Sequence, residues 1–67
     1  MRGTIARLTE KRFGFIKGAD GVDYFFHQSA LEQTTVRWED LVQGQSVEFT
    51  GIDNPPKGLR AIEVRVV

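Results

Sequence analysis

The sequence predicts a small all-β protein, and three observations support this: its length, its periodicity and its turn signals. With 67 residues the chain has room for one domain, so we treat residues 1–67 as a single domain. Apolar and polar side chains alternate over five short segments, and residues that favour turns separate them. Five short strands of this kind suggest a barrel, because closing the sheet removes its exposed edges.

The expected strands cover residues 4–8, 13–16, 22–27, 46–52 and 59–67. The second and third are joined by residues 18–21, where Gly and Asp tolerate positive φ. In the fourth strand Val47 and Phe49 share one face, because side chains alternate along a strand. The prolines of residues 53–58 end that strand before the fifth begins.

Residues 28–45 do not follow the strand pattern. Ser29-Ala30-Leu31-Glu32 fits a capping box, in which Ser29 and Glu32 would cap a single helical turn reciprocally. The remainder is expected to be a long loop that presents Val36, Trp38 and Leu41.

Composition excludes several classes of site. The chain has no Cys, which excludes disulfides and thiolate metal sites, and His27 has no carboxylates spaced around it for zinc. No phosphate-binding loop or nucleophile–base pair indicates an enzyme or a cofactor. No apolar run approaches the roughly 20 residues that span a membrane, and no secretory signal begins the chain. We therefore expect a cytoplasmic monomer without metal, cofactor or membrane partner.

The charge is zero overall but is segregated along the chain. Nine Lys and Arg balance nine Asp and Glu, which by itself argues against nucleic acid. Residues 1–18 carry a net +4, residues 19–54 a net −6 and residues 55–67 a net +2. The basic ends suit a polyanion, and the acidic middle is expected on a solvated face away from the ligand.

Two aromatic faces are expected on the hairpin of the second and third strands. Alternation puts Ile16, Tyr24 and Phe26 on one face and another set on the opposite one: Phe13, Phe15, Phe25 and His27. For any single Phe, burial in the core is the simpler reading. Both faces cannot lie inside so small a barrel, so we expect the set beside Lys11, Arg12 and Lys17 to be outside. Exposed rings bordered by cations suit single-stranded nucleic acid, whose bases stack on them. Gly14, which faces the other way between Phe13 and Phe15, would allow backbone or a base to approach closely where a side chain would block it.

Residues 11–16, Lys-Arg-Phe-Gly-Phe-Ile, resemble the first ribonucleoprotein motif of the cold-shock domain family, usually Lys-Gly-Phe-Gly-Phe-Ile. Residues 23–31 resemble the second, usually Val-Phe-Val-His-Phe-Ser-Ala-Ile, and residues 44–49 and 57–61 resemble the family's last two strands. The resemblance implies a five-stranded antiparallel Greek-key barrel of the oligonucleotide/oligosaccharide-binding fold. It also implies an RNA chaperone that binds single-stranded RNA or DNA with little sequence preference.

Two groups of site residues are expected, in part from the resemblance and in part from the polar and charged side chains near the aromatic face. Bases are expected to stack on Phe13, Phe15, Phe25, His27 and Trp38. Phosphate or polar contacts are expected from Arg7, Lys11, Arg12, Lys17, Gln28 and Lys57. For Trp38 an alternative remains, in which its ring pins the long loop to the barrel. Arg60 and Arg65 are expected to be solvated surface.

The first strand departs from the family pattern. Ala6, Arg7 and Leu8 stand where the family usually has Lys, Trp and Phe. Gln28 replaces the Phe that follows the family's His, and Arg12 replaces a Gly. Because a guanidinium can stack on a base, Arg7 compensates in part, and we expect weaker binding or a different base preference. The alternative function is a β-barrel that binds a peptide on the same aromatic face.

Overall fold

The computed structural model describes residues 1–31, 37–53 and 58–67. They form five strands: β1 Arg2–Leu8, β2 Phe13–Gly18, β3 Asp23–His27, β4 Ser46–Asp53 and β5 Leu59–Val66. The order around the sheet is β1-β2-β3-β5-β4, and β4 pairs with β1 to close a barrel. The all-β, five-stranded barrel predicted from the sequence is confirmed. Neighbouring strands are antiparallel except β3 and β5, which are parallel where Phe25 meets Arg60.

The interior is filled by one face of every strand. Alternate positions of β2, β3 and β4 are buried, as alternation predicts for strands with one face on a core. The buried apolar side chains of the described residues are Ile5, Ile16, Tyr24, Phe26, Leu31, Leu41, Val47, Phe49, Ala61 and Val64. The expected inner face of the second and third strands is therefore confirmed, and Val47 and Phe49 share one face of β4 as expected.

Two bulges bend the sheet so that it can close. In β1 an extra residue, Ala6, lies between the pairs that Ile5 and Arg7 make with β2. In β5 the register shifts between Ile62 and Arg65, where Glu63 has a φ of +53°. An extra residue increases the local bend and twist of a strand, and both are needed to close a small barrel.

The helical turn after β3 differs in detail from the expectation. A 3₁₀ turn covers Gln28–Ala30, and its cap is His27, whose Nδ1 accepts from the Ser29 backbone N–H at 3.1 Å. The cap is therefore His27 and not Ser29, because the turn begins directly after β3 ends. Glu32, the other half of the expected capping box, lies outside the described residues.

Two side chains of the long connection to β4, Trp38 and Leu41, pack on the core. A second 3₁₀ turn covers Trp38–Asp40, and the following Leu41 is buried. Val36 and Lys57 lie outside the described residues.

In the described ranges, no helix is long and apolar enough to cross a membrane. Nor does that part of the chain gather three or more His, Asp or Glu side chains that could hold a metal ion.

Candidate functional site

Four side chains form a row across the outside of the barrel, which we call the outer row: Arg7, Phe15, Phe25 and Arg60. Arg7 of β1 is opposite Phe15 of β2, and Phe15 is opposite Phe25 of β3. Phe25 is in turn the register partner of Arg60 on β5. The bulge at Ala6 puts Arg7 in this register, so two rings lie between two guanidinium groups.

Three phenylalanine rings make a continuous apolar surface around the outer row. Phe13 and Phe25 have centroids 5.5 Å apart and planes tilted by 32°. Phe15 packs edge-on against Phe25 at 6.0 Å and against Phe13 at 6.3 Å. All three are half-buried, whereas Tyr24 and Phe26 on the opposite face are buried. The sequence-based expectation of which aromatic face lies outside is confirmed.

His27 extends the aromatic surface at the end of β3. It is exposed and is the register partner of Phe13. Because its Nδ1 accepts from the Ser29 backbone N–H, the neutral ring carries its proton on Nε2. The cap therefore fixes the orientation of the imidazole beside Phe13 and leaves Nε2–H as a donor.

A depression of about 550 Å³ lies along three members of the outer row, Arg7, Phe15 and Phe25. Its lining includes Arg7 and Ala6 from β1, the rings of Phe15 and Phe25, and Asp23. The acidic middle segment was expected to lie away from the aromatic face, but Asp23, which belongs to that segment, lines this depression beside Phe25. The physical reason is strand alternation, which puts Asp23 on the same face of β3 as Phe25.

Arg60 lies against the aromatic surface, a position that the sequence did not indicate. It was expected to be solvated surface, but it is half-buried and its Cζ lies 5.2 Å from the centroid of Phe25. This is the geometry of a cation–π contact. No sequence signal could have located it, because β3 and β5 are distant in the chain and only barrel closure makes them neighbours.

Arg12 and Gln28, two of the predicted polar contacts, are joined to each other. Arg12 Nη1 donates to Gln28 Oε1 at 3.1 Å, and the Gln28 backbone N–H donates to the Arg12 carbonyl at 2.9 Å. Arg12 Nη1 also lies 3.7 Å from Glu39 Oε1. Arg12 therefore connects the β1–β2 turn to the end of β3 and to the long connection, with its backbone at a φ of +65°.

The remaining predicted site residues in the described ranges, Trp38, Lys11 and Lys17, differ in their exposure and packing. Trp38 is half-buried and packs against Phe26, with centroids 5.6 Å apart, which agrees with the alternative in which it pins the long loop. Its contact with a base stays a prediction. Lys11 is exposed in the β1–β2 turn, and Lys17 is exposed opposite Asp23, beyond the outer row.

Gly14 lies where the backbones of β1 and β2 approach closely, on the inner side of the barrel wall. A Cβ built on Gly14 would point inward, onto the carbonyl oxygen of Arg7 and to within 3.0 Å of the Phe26 ring. Of the two alternatives expected from the sequence, close approach by backbone is confirmed and close approach by a base is not, because alternation turns this position toward the core. Its lack of a side chain allows β1 and β2 to pack.

Comparison with known proteins gives consistent matches. The model of the family described as the "'Cold-shock' DNA-binding domain" matches residues 1–67. A cold shock-like protein of Thermotoga maritima is 40% identical over 68 aligned positions, which cover 100% of this chain and 98% of that protein. Cold shock-like protein CspC of Bacillus cereus is 48% identical over 44 residues, 66% of this chain, and the match spans only 65% of that protein's length. The major cold-shock protein of Aeromonas salmonicida is 52% identical over 42 residues, 61% of this chain and 87% of that protein.

Proposed function

This chain belongs to the cold-shock DNA-binding domain family, and from that premise we propose that it binds single-stranded RNA or DNA on its outer aromatic face. Nucleic-acid binding is the property of the family as a whole. The strandedness of the ligand, the stacking of its bases and the action of the protein as a monomeric RNA chaperone are the finer parts of the proposal.

The observation that carries the proposal is the continuous surface of Phe13, Phe15 and Phe25 outside the barrel. Each base that stacks on such a ring contributes about 1–3 kcal/mol. In a duplex the faces of the bases are already covered by their neighbours, so only an unpaired strand can use these rings. Cations beside the rings then contact the phosphates of the same strand.

The proposed contacts are the ones expected from the sequence, together with Arg60. The stacking residues are Phe13, Phe15, Phe25, His27 and Trp38. The phosphate and polar contacts are Arg7, Lys11, Arg12, Lys17, Gln28 and Lys57. Because stacking uses a feature that every base shares, this site binds with little sequence preference.

RNA chaperone activity follows from the same preference by mass action. A protein that binds the open strand and not the duplex stabilises the open state. The stabilisation is RT ln(1 + c/Kd), where c is the concentration of free protein. A short RNA hairpin with a fluorophore and a quencher at its ends should therefore open as protein is added. A hairpin that stays closed at saturating protein would contradict the chaperone part of the proposal.

The fluorescence of Trp38, the single tryptophan, offers a direct test of binding. We expect quenching when oligo-dT or oligo-U is titrated, and weaker binding as salt rises from about 50 mM to about 200 mM. The log–log slope should be about −0.7 for each phosphate neutralised on a single strand. A duplex of equal length is the control and should bind more weakly.

Two outcomes would contradict the proposal. Absence of oligonucleotide binding at low salt would remove it. Binding of a proline-rich peptide without salt dependence, and without competition from oligo-dT, would instead support the alternative of a peptide-binding barrel.

A further inference from the structure

Arg60 covers the ring of Phe25 in the free protein. The two residues are register partners across β3 and β5, and Cζ lies 5.2 Å from the ring centroid. Atoms in van der Waals contact lie about 3.5–4.0 Å apart, so a base between the guanidinium and the ring would need a separation of at least about 7 Å. A base therefore cannot stack on this face of Phe25 unless Arg60 moves.

The other neighbours of Phe25 are fixed parts of the aromatic surface. Phe13 and Phe15 pack against it at 5.5 Å and 6.0 Å from adjoining positions of the same hairpin. Arg60 differs from them, because its long flexible stem lets the guanidinium move without any change in the strands. Competition for the face of Phe25 is therefore between a base and Arg60.

Arg60 has space to move, and its charge is available to contact a phosphate. It lines a second depression, of about 420 Å³, together with His27 and Ser29. Its guanidinium forms no ion pair with another side chain of residues 1–31, 37–53 and 58–67, whereas Arg65 of the same strand pairs with Glu48 at 3.2 Å. A strand that crosses Phe25 toward His27 would bring a phosphate to this depression.

We propose that Arg60 changes partners when a strand binds: it yields the ring of Phe25 to a base and contacts a backbone phosphate on the side of His27. This inference rests on the proposed function and adds a residue to it. Arg60 then has two opposite effects on affinity. Its attraction to phosphate strengthens binding and is weakened by salt, whereas its cover on Phe25 weakens the stacking of a base whether or not that base carries a phosphate.

Two ligands separate these effects: oligo-dT, and oligo-dT with an uncharged methylphosphonate backbone. With oligo-dT, Arg60→Gln should bind more weakly at low salt, and its log–log salt slope should be shallower by about 0.7. With the uncharged ligand, Arg60→Gln should bind about two- to fivefold more tightly than the wild type, the fold-change that corresponds to an exposed cation–π contact.

Arg65→Gln is the matched control, because it removes the same charge from the same strand outside the aromatic surface. It should leave the slope with oligo-dT and the affinity for the uncharged ligand close to those of the wild type. Circular dichroism melts of both variants check that the barrel is intact. If Gln at position 60 prevents folding, Arg60→Lys replaces it, with the wild-type slope retained and tighter binding of the uncharged ligand.

The outcomes distinguish this inference from the proposed function. If the wild type binds neither ligand, the proposed function itself fails. If the wild type binds and Arg60→Gln behaves like Arg65→Gln, Arg60 is only a surface cation and the inference fails alone. Weaker binding of both ligands by Arg60→Gln would also overturn it, because Arg60 would then stack on the bound base instead of leaving it.

Discussion

Phe25 and Phe26 are neighbours in β3 but lie on opposite sides of the barrel wall. Phe25 is half-buried and contacts Phe13 and Phe15 on the outside. Phe26 is 0% exposed and packs against Trp38 from within the core. The same side chain thus occurs at adjacent positions, once on the outer aromatic surface and once in the core. Substituting each phenylalanine in turn therefore compares an effect on binding with an effect on stability.

Phe25→Ala should weaken oligonucleotide binding and retain the fold. The loss of one stacking platform corresponds to about 1–3 kcal/mol of binding free energy. Phe26→Ala should remove about 3–5 kcal/mol of stability, which approaches the whole free energy of unfolding of so small a domain. Urea denaturation and Trp38 fluorescence titrations measure the two effects. Unfolding of Phe25→Ala with a stable Phe26→Ala would mean that the two faces are reversed.

Arg7→Trp should tighten binding of oligo-dT, because Arg7 lies beside Phe15 in the outer row and an indole there would add a stacking platform. We expect a gain of about 1 kcal/mol, since the lost phosphate contact offsets part of the stacking. The control is Arg2→Trp, which changes the same residue type on the same strand near Glu48. An unchanged affinity of Arg7→Trp would count against a base contact at this position.

Glu63→Gly should stabilise the barrel. Glu63 has a φ of +53°, a left-handed conformation that costs an L-residue about 1–2 kcal/mol, and glycine returns part of this through its greater freedom in the unfolded chain. The net gain is about 0.5–1 kcal/mol, or a rise in Tm of about 2–8 °C. Glu63→Ala removes the same carboxylate without relieving the backbone, so it should not stabilise. Equal melting temperatures for the two variants would show that the backbone at this bulge is not strained.

Tyr24→Phe should flatten the pH dependence of stability at both extremes. The Tyr24 hydroxyl donates to Asp20 at 2.7 Å and, with the Val22 N–H, holds the pKa of that carboxyl below its ordinary value. The same hydrogen bond raises the pKa of Tyr24 above its ordinary value. The Asp20 contribution is therefore present above about pH 3.9 and is lost as pH falls through the lowered pKa. The Tyr24 contribution is full below about pH 10 and is lost as pH rises through the raised pKa.

Denaturant unfolding of the wild type and Tyr24→Phe across the acid and alkaline ranges checks this prediction. Phenylalanine keeps the ring that packs against Phe49, with centroids 5.1 Å apart in the wild type, so the comparison isolates the hydroxyl. Some acid dependence should remain, because the Val22 N–H still donates to Asp20. Parallel pH profiles for the two proteins would show that the hydrogen bond does not contribute.

The local features of the fold and site were predictable from the sequence because they depend on neighbours along the chain. Strand alternation separates Phe25 from Phe26 and puts Phe13 and Phe15 on one face, whatever the tertiary arrangement. The size of the chain then leaves one aromatic face outside. Alternation also turns Gly14 away from that face, and the same alternation applied to Asp23 would have put its carboxylate beside Phe25.

The contacts between distant segments were decided only by closure of the barrel. Arg60 covers Phe25 because β3 and β5 meet in parallel, and Arg12 connects to Gln28 and Glu39 because the β1–β2 turn packs beside the end of β3. The positive φ of Glu63 and the bulge at Ala6 likewise accommodate the curvature of a closed sheet. Alternation thus determined from the sequence which side chains face outward. Closure determined that Arg60 lies beside Phe25, because β3 and β5 are not consecutive and become neighbours only in the closed sheet.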